Sequence, residues 1–389
     1  MEIGPQDDVA AAIPFLEPED ELVLRPGEYH GPWILRNGGT PDKPLVIRAK
    51  DSADRPRVLD TGRGAELCRI VTSDITIRGL AFGPTRQDVD AVRVAWGDFV
   101  TVEDCDFEGV GGIAVASNSR STRALSIRRN RIVKSRATAI YIGCHSGTAC
   151  ALEEVLVEGN YIHGVDAPHP RIGYGVQFKL NSWGWIRDNV IVNTKGPGIM
   201  VYGATLPGRT SLIEGNAVMG SRRSGAIVLG GGPAIVRNNV VSGGARGGIR
   251  LEDYAGRGLL QGIAIAHNTV YDNPTGGILI QDGAPVTDIW IVNNAVRARA
   301  ADPAYPRTGN GVRCLGNVDC SLTPCFEDPG RRLLSPGPGS PLIGRAVPRS
   351  DEWMPRNDFA GAPRGPTPAV GALEGPAPPI PLGFKGASR

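Results

Sequence analysis

No apolar run in this sequence approaches the length needed to cross a bilayer, which excludes a helical membrane span. Neither sign of charge is in excess, since 42 Lys and Arg stand against 40 Asp and Glu for a net of +2. That excludes a broad nucleic-acid-binding face as the default and leaves open only a local basic groove. No Cys or His pair has zinc-ligand spacing, and His163 and His169 are not at useful metal spacing either. Beyond the N-terminal segment no stretch has helical periodicity.

What the chain does have is turn chemistry. Its 53 Gly and 32 Pro favour many tight turns over long helices, and 41% apolar residues are ample for a core. A length of 389 residues admits two domains or one large β architecture. Two close cysteine pairs, Cys144/Cys150 and Cys314/Cys320, read as local disulfides, which implies an oxidising compartment, secreted or periplasmic. The competing reading is seven buried thiols in a cytosolic protein. Residues 1–8 are acidic and polar rather than a signal peptide, so an exported protein is expected here as its mature form with the leader removed.

Residues 1–30 read as a cap in which Asp7 or Asp8 starts a short helix through Val9–Ile13 that Pro14 ends. From 31 to about 300 the chain repeats itself. One segment, apolar-x-apolar-x-x-Asn-x-apolar, places Asn130, Asn160, Asn189, Asn216, Asn239, Asn268 and Asn294 at intervals of 23 to 30 residues, with Leu80 and Cys105 at the same place earlier. A second, Gly-apolar-x-apolar, falls between them, as in Gly175-Val176-Gln177-Phe178 and Gly248-Ile249-Arg250-Leu251. Short strands at this period, with no helices between, cannot bury their apolar faces singly and must stack. Asn at a fixed turn position suits left-handed backbone and lets amides ladder along the axis. Propeller blades need about 40 or more residues each. The expected fold is all-β, a single-stranded right-handed parallel β-helix of nine to ten rungs. The Pro- and Gly-rich residues 301–389 then form a tail along the coil.

Chemistry in such a coil requires side chains from successive rungs on one outward face, about 4.8 Å apart. Aligning the Gly-apolar-x-apolar strands gives one column of Arg93, Ala114, Tyr141, Gln177, Met200, Ile227, Arg250 and Leu279. The next column reads Ala95, Ala116, Gly143, Lys179, Tyr202, Leu229, Glu252 and Gln281, and beyond it stand Asn118, His145 and Asn181. Lys179, Tyr202 and His145 are therefore the candidate catalytic residues: a base beside groups able to protonate a leaving oxygen. Arg93, Tyr141, Gln177, Asn181, Arg250 and Glu252 are candidates to bind substrate. Trp183 joins them as an exposed ring for stacking on a sugar, with Trp185 turned inward. The insertion His163–Arg171 is a candidate groove wall. The bland alternative for all of these is solvated polar residues on an outer face. Glu252, Asp253 and Asp282 could instead form the carboxylate pair of a glycoside hydrolase or a Ca²⁺ site, or simply be turn carboxylates. Asp88/Asp90 and Asp104/Asp106 are weak Ca²⁺ candidates.

The segments Leu24–Tyr29 and Gly39–Ala49, the lysine strand Gln177–Ser182 through Asn189, and Gly198–Gly203 followed by Glu214-Gly215-Asn216 resemble pectate-lyase-like β-helix enzymes. In pattern they are similar to the alginate and chondroitin lyases of polysaccharide lyase family six. The resemblance covers residues 20–300, and the tail segments 358–361 and 370–374 resemble those of many β-helix proteins. It implies that Lys179 abstracts the C5 proton of a uronate in a β-elimination. Two departures stand out. Tyr202 occupies the place of the family's catalytic arginine, and the calcium-binding acids before the lysine have no counterpart, Tyr174 standing nearby instead. The expected activity is a polysaccharide lyase on an acidic, uronate-containing polysaccharide, with Tyr202 as proton donor and no cofactor. Rival expectations are a uronate C5-epimerase, the glycoside hydrolase above, and a non-catalytic carbohydrate-binding β-helix. The partner is the acidic polysaccharide, with no nucleic acid or membrane, and the protein is expected to be a monomer.

Overall fold

A computed structural model describes the chain except residues 145–149, 169–171, 204, 205, 207, 255, 257, 300–303, 349–352 and 384–389. The fold is an all-β right-handed parallel solenoid of about 11 turns, slightly more than the repeat count suggests. The chain forms two compact units, Met1–Gly184 and Trp185–Gly383.

In the first unit each turn lays one strand on each of three parallel sheets. One sheet stacks Glu21–Leu24, Leu45–Ala49, Ile75–Arg78, Val100–Glu103, Ser126–Arg128 and Leu152–Glu158. A second begins with Glu28–His30 and Arg57–Leu59 and ends with Arg131–Val133 and Tyr161–His163. The third stacks Trp33–Leu35, Glu66–Val71, Asp90–Trp96, Val115–Ser117, Ile140–Ile142 and Val176–Phe178. Alternation decides which side chains enter the coil. Ile47, Ile77, Val102 and Ile127 fall on one inward register line and are fully buried. The rings of Phe82 and Phe107 stack inside at 5.1 Å. The end of the coil is closed by the helix Val9–Ala12, whose N-terminus is capped by Asp8 through the amides of Ala10 and Ala11. The α-helix ends before Pro14, as expected, and Pro14 sits inside a 3₁₀ turn, Ile13–Phe15, where its missing N–H costs nothing.

The second unit repeats this plan. One of its sheets stacks Ser211–Glu214, Ala234–Arg237, Leu260–Ala266, Val286–Val292 and Val312–Leu315. The C-terminal segment packs on its flank, where Phe326, Leu334, Leu342, Val370 and Ile380 share an apolar cluster with Met219, Val240 and Tyr271.

The asparagine ladder is present in both units. Asn130 Nδ2 donates to Asn160 Oδ1 at 3.0 Å, and in the second unit the chain of side-chain amides runs from Asn189 through Asn216, Asn239, Asn268 and Asn294 at 2.9–3.0 Å. It extends one step further than the repeat suggests, to Asn317. The left-handed residue is not the ladder asparagine but the one before it: Asp104, Arg129, Gly159, Asp188, Gly215, Asn238, His267, Asn293 and Gly316 all have φ between 51° and 66°. That bend turns the following asparagine inward, where burial leaves only backbone and its own neighbours as partners.

One expected disulfide forms and one does not. Cys144 bonds to Cys150, but Cys320 bonds to Cys325, leaving Cys314 as a thiol. Cys314 lies in strand Val312–Leu315 and Cys320 just past Val318–Asp319, on a different sheet. The turn after Cys320 brings Cys325 back to it, with Cα atoms 5.6 Å apart. Cys68 and Cys105 are buried thiols, and burial pushes Cys105 up to about 12.

Candidate functional site

The third sheet of the first unit carries the site on its outer face. Registration sets Arg69, Arg93, Ala116, Tyr141 and Gln177 in one line, because Arg93 pairs with Arg69 and Ala116, Ala116 with Tyr141, and Tyr141 with Gln177. This corrects the expected column, which had Ala114 opposite Arg93. Gly112 and Ile113 belong to the turn before the strand, where the Ile113 amide donates to Asp90 Oδ1 at 2.7 Å, so the strand starts only at Val115. A similar slip occurs in the second unit, where Val228 rather than Ile227 stands opposite Met200 and Arg250.

Arg93, Tyr141 and Gln177 line a cavity of about 490 Å³ together with Asp88, Asp90, Thr138, Ile172 and Tyr174. Arg93 is held from both sides, donating to Asp90 and to the Asn118 side chain. Burial pushes the Asp90 carboxyl above the usual carboxylate range, against the opposing pull of the Ile113 amide and Arg93. A fixed, partly exposed guanidinium, in a cavity it shares with the carboxyls of Asp88 and Asp90, the phenols of Tyr141 and Tyr174 and the amide of Gln177, can hold a carboxylate ligand. Tyr174 comes from the segment after the 163–171 insertion and forms one wall with Ile172 and Gly173. Part of that insertion, including His169 and Arg171, lies outside the described residues.

Lys179 follows this line by two residues. It is only 4% exposed, its backbone N–H donates to Ile142 at 2.7 Å, and its Nζ stands 5.9 Å from the centre of the Tyr141 ring. Gly143 makes room for it. A Cβ at Gly143 would come within 2.8 Å of Lys179 Cβ and 2.4 Å of Ser182 Oγ, and the backbone there has φ +104°. Asn181, also left-handed at φ 57°, closes the strand and accepts the Leu152 amide through its carbonyl.

His145 lies outside the described residues. Tyr202 belongs to the second unit, where its ring packs 5.2 Å from Tyr254. Trp183 is buried and Trp185 half-buried, the reverse of the expected orientation. The strand Ser182–Arg187 keeps its pleat through Ile186, which pairs inward with Ile213 and leaves Trp185 outward beside Leu212. Arg250 is engaged by Glu252 at 2.5 Å and by the Arg246 carbonyl. Asp253 accepts the Gly256 amide in its own turn. For calcium the donor set does not fit. Asp90 is committed to Arg93 and a backbone amide, and no group of three or more His, Cys, Asp or Glu comes together among the described residues. The bracing of Arg93 by Asp90 was missed from sequence, although Asp90-x-x-Arg93 repeats Glu66-x-x-Arg69 one turn earlier.

The model of the right handed beta helix region matches residues 90–207 and 157–326. No curated protein matches the sequence. Among solved structures the chain is similar to pectate lyase Pel9A, with 14% identity, 96% of this chain and 95% of that chain covered, and a TM-score of 0.60. An alginate lyase from Paenibacillus sp. str. FPU-7 shares 17% identity over 81% of this chain and 97% of that one, at a TM-score of 0.51. XylC, solved in complex with xylose, shares 9% identity over 96% and 98% of the two chains, at a TM-score of 0.63. These likenesses establish the fold.

Proposed function

From a chain that belongs to the right-handed β-helix family and sets Lys179 beside Tyr141, a residue lining an arginine-bearing cavity, we propose a polysaccharide lyase acting on an acidic, uronate-containing polysaccharide. The reaction is a β-elimination. The Lys179 amine takes the C5 proton of the uronate, the freed electron pair forms the C4–C5 double bond, the C4–O4 bond breaks, and a phenol returns a proton to O4. Two phenols are candidates for that donation: Tyr141, beside the lysine, and Tyr202, retained from the rung alignment. In this reading Gln177 and Asn181 hydrogen-bond the uronate, and Arg93 holds an acidic sugar further along the face. No step is routed through calcium. Similarity to a pectate lyase and an alginate lyase supports the substrate class, and the Cys144–Cys150 and Cys320–Cys325 bridges support a secreted or periplasmic location.

The observation that carries this reading is the nearly buried lysine next to a tyrosine on the face that bears the cavity. Incubation with a panel of uronate polymers tests it. New ultraviolet absorbance from an unsaturated sugar, abolished in Lys179→Ala and reduced at least tenfold in Tyr141→Phe or Tyr202→Phe, is the expected result. New reducing ends without that absorbance indicate hydrolysis, inverted C5 stereochemistry without cleavage indicates an epimerase, and either outcome sinks the proposal.

A further inference from the structure

The line of outward residues does not stop at Arg93. One turn closer to the N-terminus Arg69 occupies the same register position, and it is braced in the same manner, donating to the buried Glu66 at 2.8 Å as Arg93 donates to the buried Asp90. Arg69 and Glu66 line a second cleft of about 380 Å³, adjoining the first at Ala65, with Pro32, Ile34, Val71 and Arg36. Arg36 is exposed, and among the described residues no hydrogen bond or ion pair engages its guanidinium. Next to Val71 on the neighbouring strand, Trp96 holds its indole 42% exposed. Three guanidiniums on two successive clefts, with apolar walls and an exposed indole, combine the groups that hold an anionic sugar: charge for its carboxylate or sulfate and a flat apolar surface for its ring.

We infer that Arg36, Arg69 and Trp96 form a distal binding track for acidic sugar units, continuous with the Arg93 cavity and remote from the reacting lysine. Arg69 lies four rungs from Gln177, about 19 Å at roughly 4.8 Å per rung, the length of several sugar units. The inference rests on the glycan reading above and deepens it: the enzyme grips a long anionic chain and favours polymers over short oligomers.

Calorimetric titration separates the two levels. Wild-type protein and the variants Arg36→Gln, Glu66→Gln/Arg69→Gln and Trp96→Ala are titrated with uronate oligomers of increasing length, with sulfated uronate oligomers and with neutral cello-oligomers. Arg36→Gln breaks no contact within the protein, and the double variant leaves no buried carboxylate without its cation, so neither depends on surviving a folding defect. Affinity is expected to rise with length for acidic oligomers only. Each arginine variant should lose roughly fivefold on long oligomers, as for a partly exposed charged contact. The shortest bound oligomer should be unaffected, and kcat on it unchanged. Whether carboxylate or sulfate is preferred is read from the two acidic series. Cleavage that depends on Lys179 with no loss of long-oligomer affinity in any variant overturns the track alone. Absence of binding by every acidic oligomer overturns both the track and the lyase.

Discussion

Replacing Asn239 with alanine should destabilise the protein far more than removing a side chain of that size from a surface. Asn239 is fully buried in the second unit. Its Oδ1 accepts the Asn216 backbone amide and the Asn216 side-chain amide, both at 2.9 Å. Its Nδ2 donates to the carbonyls of Ile213 and Arg237 at 2.9 Å and to Asn268 Oδ1 at 3.0 Å. Alanine leaves the buried Asn216 N–H with no acceptor, at about 1–3 kcal/mol, and forfeits at least two further bonds at roughly 0.5–1.5 kcal/mol each, so the loss is about 2–6 kcal/mol. Asn317, the last step of the ladder, supplies the comparison. It accepts from Asn294 in the same way but is only half-buried, so water can replace it, and Asn317→Ala should cost about 1–2 kcal/mol. Asn239→Asp provides a second arm. The carboxylate still accepts from Asn216 but faces three acceptors, so this variant should be least stable near neutrality and recover as the pH falls and the acid protonates. Urea midpoints followed by circular dichroism give all three values. A cost under 1 kcal/mol for Asn239→Ala, or an equal cost at Asn317, would refute the reasoning.

Two further predictions concern the first unit. Glu103 is buried, which on its own would raise its pKa, yet the guanidiniums of Arg128 and Arg78 donate to it and hold it below the usual glutamate value. A folded-state pKa below the unfolded one contributes stability at pH values above the ordinary glutamate range and loses it as the pH falls through that range toward the folded value. The wild-type urea midpoint should therefore drop between about pH 5 and pH 3 more steeply than that of Glu103→Gln, and parallel curves would rule the account out. Gly143→Ala puts a methyl group within 2.8 Å of Lys179 Cβ on a left-handed backbone. It should cost about 2–4 kcal/mol of stability from overpacking and strain. It should also lower kcat on a uronate polymer by displacing the lysine; a variant with wild-type turnover and melting temperature would show that Gly143 does not position Lys179.

How much of this was legible in the sequence depends on what fixed each feature. The coil was legible because burial imposes it repeatedly: every turn must send alternate residues inward, and every ladder asparagine needs a partner above and below it. The left-handed position was misplaced by one residue because its occupants vary from Arg129 to Gly159 to His267, so only the backbone marks it. The column through Arg93, Tyr141 and Gln177 was found, but two of its neighbours were not, and the cause is the same in both. The glycines that open the outward strands were taken as a fixed register mark, whereas Gly112 sits in a turn drawn out by Asp90, and Gly225 precedes its strand by one residue more than Gly198 does. Where strands are three residues long, one residue of turn geometry moves a side chain from the outer face to the core, as it does for Ile227. The bracing acids escaped notice because a carboxylate three residues before an arginine reads as ordinary surface charge. Only the parallel register, which lays Asp90 beside Glu66 and Arg93 beside Arg69, turns two commonplace pairs into one repeated device on the face that carries the proposed site.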